Sequence, residues 1–200
     1  MPMPIAAIVL AAGRSTRMGR CKQLLPLNES PALRLVINAL TEGHVERIAV
    51  VLGPQGMEVS SAAEAPNTIL VTNPDPAGDM SSSVLAGLSA LDSGYAAILI
   101  ALADMPLIRP ATIRALIRFY RQAPCAVLIP THFGRGGHPP LFAQSVLRGL
   151  RPGETLRDLR NRHKADTRRL PVDDPGILLD MDTPEDYTYL HTLLQKQREH

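Results

Sequence analysis

Residues 5–10, Ile-Ala-Ala-Ile-Val-Leu, carry no polar side chain. An extended run of this kind needs cover on both faces, which is the situation of a strand inside a largely parallel sheet. The run ends in Ala11-Ala12-Gly13 and passes into a loop that holds Arg14, Arg17, Gly19 and Lys22. Small residues let a ligand approach the backbone closely. Loop amides and a cluster of cations then favour a polyphosphate. Neither common phosphate fingerprint is present in this loop. The P-loop needs Gly-Lys adjacent and followed by Ser or Thr, whereas Arg20 and Cys21 separate Gly19 from Lys22; the G-x-G-x-x-G pattern is absent as well.

Further apolar runs recur with helical segments between them. Residues 47–52, 68–71, 96–102 and 126–129 read as strands two to five. Residues 32–40, 82–91 and 110–121 read as helices, the last with Pro110 at its first turn. The strands are continuous rather than alternating, and their order with the helices is β-α-β repeated. This pattern predicts a three-layer α/β/α sandwich around a doubly wound, mostly parallel sheet. Beyond it, residues 154–164 read as a charged helix, 168–172 and 177–182 as short strands, and Thr183, Pro184 and Asp186 as the cap of a C-terminal helix. No repeat or linker divides the 200 residues, so one domain spanning 1–200 is expected.

Composition narrows the function classes. A net charge of +2 is too small for a nucleic-acid binder, and with no Trp and three Phe there is little from which to build a base-stacking platform. Cys21 and Cys125 are far apart and fit no metal spacing, which reads as two reduced thiols in a cytoplasmic protein. The N-terminus lacks a basic leader region, and no apolar stretch approaches membrane-spanning length.

In an open α/β sheet, ligands bind beyond the carboxyl ends of the strands. The notable polar clusters fall there. Asp104 follows strand four and precedes Met105-Pro106, where a carboxylate either ligates Mg2+ or caps a turn. Asp180 and Asp182, two apart in an extended segment, share a face; either could ligate metal, and helix capping is the structural alternative. Gly78, Ser81 and Ser82 open a helix whose free amides and hydroxyls suit a ribose or base, or simply cap it. Arg135, Gly137 and His138 lie in a glycine-rich loop that suits an anionic substrate. The basic stretch 157–169 reads as a solvated face.

The ungapped pattern Leu-Ala-Ala-Gly-x-Ser-x-Arg-Met-Gly-x-x-Lys-x-Leu-Leu-Pro, residues 10–26, resembles the signature of the MobA-like nucleotidyltransferases. Within them it is most similar to the molybdenum cofactor cytidylyltransferases. Ala103-Asp104-Met105-Pro106 resembles the family's metal-binding motif, Asp182 its second metal ligand, Met80-Ser81-x-Ser83 its Met-Ser-x-Ser segment, and Gly137-His138-Pro139 its motif beside the pterin. The likeness runs from Ile5 to Leu190. Two departures stand out. Asn28-Glu29 replaces the usual glycine after Leu24-Leu25-Pro26, where Asn tolerates the left-handed turn, and Asp79 adds a charge before Met80.

The resemblance implies a nucleotide-diphospho-sugar-transferase-like fold and transfer of CMP from CTP to molybdopterin, with loss of pyrophosphate. Leu10, Ala11, Ala12, Gly13, Arg14, Lys22, Gly78, Ser81 and Ser82 would bind the nucleotide. Arg17, Lys22 and Asp104 would carry catalysis, with Mg2+, or Mn2+ in its place, on Asp104 and Asp182. Arg135, Gly137 and His138 would hold the acceptor, and a recipient molybdenum enzyme is an implied partner. Ala12, where GTP-using relatives carry glycine, favours CTP. Two other classes stay open. One is transfer from GTP or to another phosphorylated acceptor such as a sugar phosphate; the other is a non-catalytic, nucleotide-binding carrier of the cofactor.

Overall fold

The computed structural model describes residues 3–13, 21–53, 56–75 and 79–198. In chain order the elements are β1 (Ile5–Ala11), β2 (Pro26–Leu27), β3 (Ser30–Pro31), α1 (Ala32–Glu42), β4 (Arg47–Leu52), α2 (Met57–Ala63), β5 (Thr68–Thr72), α3 (Met80–Ala90), β6 (Ala97–Leu102), α4 (Pro110–Gln122), β7 (Val127–His132), β8 (Arg135–Gly136), β9 (Leu141–Ala143), α5 (Gln144–Leu147), α6 (Leu156–Arg162), β10 (Thr167–Pro171) and α7 (Pro184–Arg198). The main sheet runs β10-β7-β9-β6-β1-β4-β5, with β8 paired to β7. Strand β1 lies at its centre, parallel to both neighbours, with Leu10 level with Val51 on β4 and with Leu102 on β6. That register places the carboxyl end of β1 beside the carboxyl end of β6.

Both faces of β1 are covered, as its composition requires. Ile5, Ala7, Val9 and Ala11 face one core with α1, α2 and α4; Ala6 and Ile8 face the other with α3, α5 and α6. Helix α1 contributes Leu33, Val36, Ile37 and Leu40, and α4 contributes Ile113, Leu116, Ile117 and Tyr120. Each set is spaced i, i+3, i+4, i+7, the stripe of a helix lying on a sheet. A third, smaller cluster joins Leu27, Ala32, Met181 and Leu190, seating α7 on the β2–β3 hairpin. Asn28 turns that hairpin at φ 57°, so it takes the left-handed conformation that a glycine would supply. Among the described residues no helix is long and apolar enough to cross a membrane.

The sequence-based expectations omit α2 and the short elements β2, β3, β8 and α5, and they depart from the sheet itself in two places. Leu141–Ala143 forms an antiparallel strand wedged between β6 and β7, although three residues are too few to display a period. The strand expected over residues 177–182 does not form; a 3-10 turn, Pro175–Leu178, takes its first two residues. The cause is Asp174, which is buried. Its carboxylate accepts from Gly176 N at 2.9 Å, Arg109 N at 2.9 Å and Thr112 Oγ1 at 2.6 Å. These bonds curl the chain around the start of α4 and withdraw it from the sheet.

Asp174 is thereby a structural lock. Asp174→Ala should lose about 2–3 kcal/mol in urea unfolding, because it leaves buried donors unpaired. A loss below about 0.5 kcal/mol, the scatter of an ordinary surface change, would show that the segment is held by other contacts.

Candidate functional site

At the carboxyl edge of β1 and β6, Lys22 Nζ donates to Asp104 Oδ2 at 2.5 Å and to Asp182 Oδ1 at 2.7 Å. Each of the three residues is positioned by a different local device. Lys22 opens a 3-10 turn, Lys22–Leu24. The next residue, Gln23, is buried and donates to the carbonyls of Ala11 and Gly13, both at 3.2 Å. Asp104 lies in the turn that ends β6, where Ala103 N bonds the Leu10 carbonyl across to β1. Asp182 sits between buried Met181 and the cap of α7. In that cap Asp186 Oδ2 accepts from Asp182 N, Thr183 N and Thr183 Oγ1, while Thr183 Oγ1 accepts from Asp186 N.

The electrostatics are those of a partly dehydrated ion triad. Burial alone would lower the Lys22 pKa, but hydrogen bonds and charge from Asp104 and Asp182 outweigh it and hold the ammonium above its usual range. Asp104 Oδ1 is buried without a hydrogen-bond partner. An orphaned buried carboxylate oxygen is rare and calls for a ligand. Two carboxylates that already converge on one cation suit Mg2+ or Mn2+, which take hard oxygen donors and complete their shells with substrate phosphates. The residues present therefore fit a divalent cation. Among the described residues no group of three or more His, Cys, Asp or Glu forms an all-protein cage.

A cavity of about 260 Å3 opens beside this triad, lined in part by Leu10, Ala12, Gly13, Lys22, Asp79 and Asp104. Ala11 is buried among core side chains. At the mouth of α3, Asp79 is the N-cap and accepts from Ser82 N at 2.8 Å and Ser81 Oγ at 2.7 Å. The Ser82 amide and the Ser81 hydroxyl hold its carboxyl below the usual range. Ser81 is buried and also accepts from Gly153 N, and Ser82 accepts from Asn73 Nδ2 at 2.8 Å. Ser83, rather than Ser81 or Ser82, lines the cavity. Asp180 is exposed, whereas Asp182 reaches Lys22. Arg14, Arg17 and Gly78 lie outside the described residues.

The glycine-rich segment flanks the same edge. Gly137 packs so closely under the Ile177 carbonyl that a Cβ there would collide with it. His138 N bonds that carbonyl at 2.9 Å. Burial pushes His138 below its ordinary pKa, against the opposing pull of the Ile100 backbone and of Asp104 and Asp180, and its Nδ1 has no hydrogen-bond partner. Arg135 is exposed on β8. Gln23 and Asn73 are buried struts of the site that sequence reasoning missed; a lone amide gives no periodic signal. A larger groove of about 670 Å3 between α1 and α4, lined by His44, Arg114, Arg118 and Arg121 among others, contains none of the expected site residues.

A mostly parallel α/β sheet carries, at the carboxyl edge of its central strands, a carboxylate pair bridged by Lys22 with a cavity beside it, which is where open α/β sheets bind their ligands; sequence comparison assigns the chain to the nucleotide triphosphate transferases. Within that class the chain belongs to the MobA-like NTP transferase domain family, whose model matches residues 7–169. It is 30% identical over 186 residues to the molybdenum cofactor cytidylyltransferase of Escherichia coli K12, covering 92% of this chain and 93% of that one. A nucleotidyl transferase from Methanothermobacter superposes with a TM-score of 0.84 at 25% identity, covering 97% and 99% of the two chains. A manganese complex of the Mycobacterium tuberculosis H37Rv protein Rv0371c shares the fold, with a TM-score of 0.78 at 24% identity over 96% and 100% of the chains.

The geometry separates the two candidate aspartates. Asp104→Ala and Asp182→Ala should each lower turnover by about a hundredfold or more, the cost of losing one preorganised charge contact. Asp180→Ala should stay within about threefold of wild type, under 1 kcal/mol of barrier. Equal damage from Asp180→Ala, or near-normal turnover in folded Asp104→Ala, would overturn this division.

Proposed function

We propose that this nucleotidyltransferase moves CMP from CTP to the terminal phosphate of molybdopterin, or of its molybdate-loaded form, with residues 1–200 acting as one cytoplasmic domain. A recipient molybdenum enzyme would take the product. The observation that carries the reading is the Lys22 ammonium held between Asp104 and Asp182 beside a cavity at the end of β1. Similarity to the Escherichia coli cytidylyltransferase along nearly the whole chain supports the choice of donor and acceptor.

In the proposed step an acceptor phosphate oxygen forms a bond to the α-phosphorus of CTP. The bond from that phosphorus to the α–β bridging oxygen breaks, and pyrophosphate leaves with the electron pair. The attacking phosphate is already ionised, so the site needs no strong base, and its task is positioning and charge neutralisation. Lys22 would turn from the carboxylates toward the α-phosphate as charge develops there. Asp104 and Asp182 would hold Mg2+ or Mn2+, which when bound supplies positive charge against phosphate oxygens. The backbone around Ala12 and Gly13, with Arg14 and Arg17, would hold the remaining phosphates. Leu10, Gly78 and the mouth of α3, where Ser83 lines the cavity, would contact the nucleoside, while Ser81 and Ser82, with hydroxyls engaged by Asp79, Gly153 and Asn73, would shape that mouth. His138, whose pKa burial lowers, would contact the acceptor beside Arg135 and Gly137 without acting as a base.

Two measurements test the reading. Wild type supplied with molybdopterin should release pyrophosphate from CTP with a higher kcat/KM than from GTP. Ala12→Gly should narrow that preference by about 1–3 kcal/mol at most, the effect of one methyl group in a pocket. A wild-type preference for GTP would overturn the cytidylyl assignment, and turnover only with sugar phosphates would overturn the acceptor. Separately, Lys22→Ala should lower kcat by about a hundredfold or more while changing nucleotide affinity far less. Equal losses in both would make Lys22 a ground-state clamp.

A further inference from the structure

Phe133 is the most exposed large apolar side chain of the described residues, at 94% relative accessibility. It occupies the tip of the β7–β8 hairpin, where His132 pairs with Arg135. Phe133 and Gly134 both have positive φ, 45° and 77°. Two-residue hairpin turns of this hand favour Asn-Gly, and a bulky residue in the left-handed region is strained. A strained aromatic that buries almost nothing gives the fold no return, and such outliers point to a functional reason.

Its surroundings hold it in place. The Phe133 ring meets His132 edge-on, with centroids 4.4 Å apart and planes at 61°. His132 Nδ1 lies 3.1 Å from the Val172 carbonyl, and Arg169 Nη1 donates to the Gly134 carbonyl at 3.2 Å. The tip is thus pinned from both sides while one ring face stays open. Strands β6 and β7 are both antiparallel to β9, so they run in the same direction, and the tip stands beyond the edge that carries Asp104. The returning strand runs from Arg135 through Gly137 to His138. Phe133 therefore lies at most about 17 Å along the chain from His138. That span suits a molecule whose phosphate rests at the carboxylate edge and whose ring system lies farther out.

We propose that Phe133 is a stacking residue that selects acceptors carrying a flat, conjugated ring, with Arg135 beside it for the acceptor's anionic or carbonyl oxygens. This rests on the reading that the acceptor lies along the β7–β8 hairpin. Strain at the turn is then retained because Asn, which fits the turn better, offers no ring face.

The test uses the whole chain and free pterin, followed by the probe's own fluorescence, beside thermal unfolding. Phe133→Asn should unfold about 2–4 °C higher than wild type through relief of the turn. It should bind pterin about fivefold or more weakly, the loss expected for one stacking contact, while Phe133→Tyr should bind as wild type does. Unchanged pterin affinity in Phe133→Asn, a wild type that does not bind pterin, or a Phe133→Asn variant less stable than wild type would each overturn the proposal. Pterin binding that depends on Phe133, with no pyrophosphate released from any triphosphate in the presence of molybdopterin, would leave stacking standing and overturn the proposed reaction instead.

Discussion

The Lys22 ammonium between Asp104 and Asp182 is the contact around which the rest of the structure is arranged. The three residues come from the loop after β1, the turn after β6 and the segment before α7, separated by 82 and 160 positions from Lys22. Their side chains are 13%, 19% and 44% exposed, so the triad is partly removed from water. An ion pair in that setting carries a desolvation cost that only good geometry offsets. Its presence at the edge of the sheet is therefore better explained by chemistry than by stability. A lysine already placed between two carboxylates is a movable charge. Under the proposed function it would balance them in the free protein and would become available to phosphate oxygens once Asp104 and Asp182 hold a cation.

The frame beneath the triad is rigid. Strands β1, β4 and β6 are central and parallel, and their side chains are buried on both faces. Close-packed interiors of this kind transmit little displacement, which holds Asp104 and the carboxyl end of β1 at a fixed separation. Smaller devices bring the third member in. Asp174 curls the chain at the start of α4, Met181 anchors in the cluster under α7, and the Thr183–Asp186 cap fixes the start of that helix. Each is a local, satisfied arrangement, and together they deliver Asp182 to a lysine far away in sequence.

The parts of this arrangement that the sequence displays are those that depend on neighbouring residues. Continuous apolar runs mark β1, β4 and β6, an i, i+3, i+4, i+7 stripe marks α1 and α4, and Thr183-Pro184 marks the start of α7. Strand β9 is illegible because Leu141–Ala143 owes its conformation to two partner strands rather than to a pattern of its own. The turn at 175–178 was hidden for a similar reason, since residues 177–182 have strand composition and Asp174 acts through Arg109 and Thr112 more than sixty positions away. Asp104 and Lys22 were visible as residues at the ends of strands. Their meeting was not, and neither was the burial of Gln23 and Asn73, which support the site without contributing charge. The serines of α3 illustrate a further limit. Their types suit ligand binding or capping alike, and the hydroxyls of Ser81, Ser82 and Ser83 are all engaged with Asp79, Gly153 or Asn73, an allocation only the folded chain reveals.

The central claim is that Asp104 and Asp182 form a cation site which Lys22 vacates when a triphosphate binds. Electron paramagnetic resonance of Mn2+ titrated into the protein, with and without CTP, measures this without relying on turnover. Binding should be weak in the free protein, tighten when CTP is present, and in the presence of CTP fall back toward that of protein-free CTP when either carboxylate is replaced by Ala. Mn2+ binding that is unchanged in both Asp104→Ala and Asp182→Ala, with the variants folded, would contradict the account.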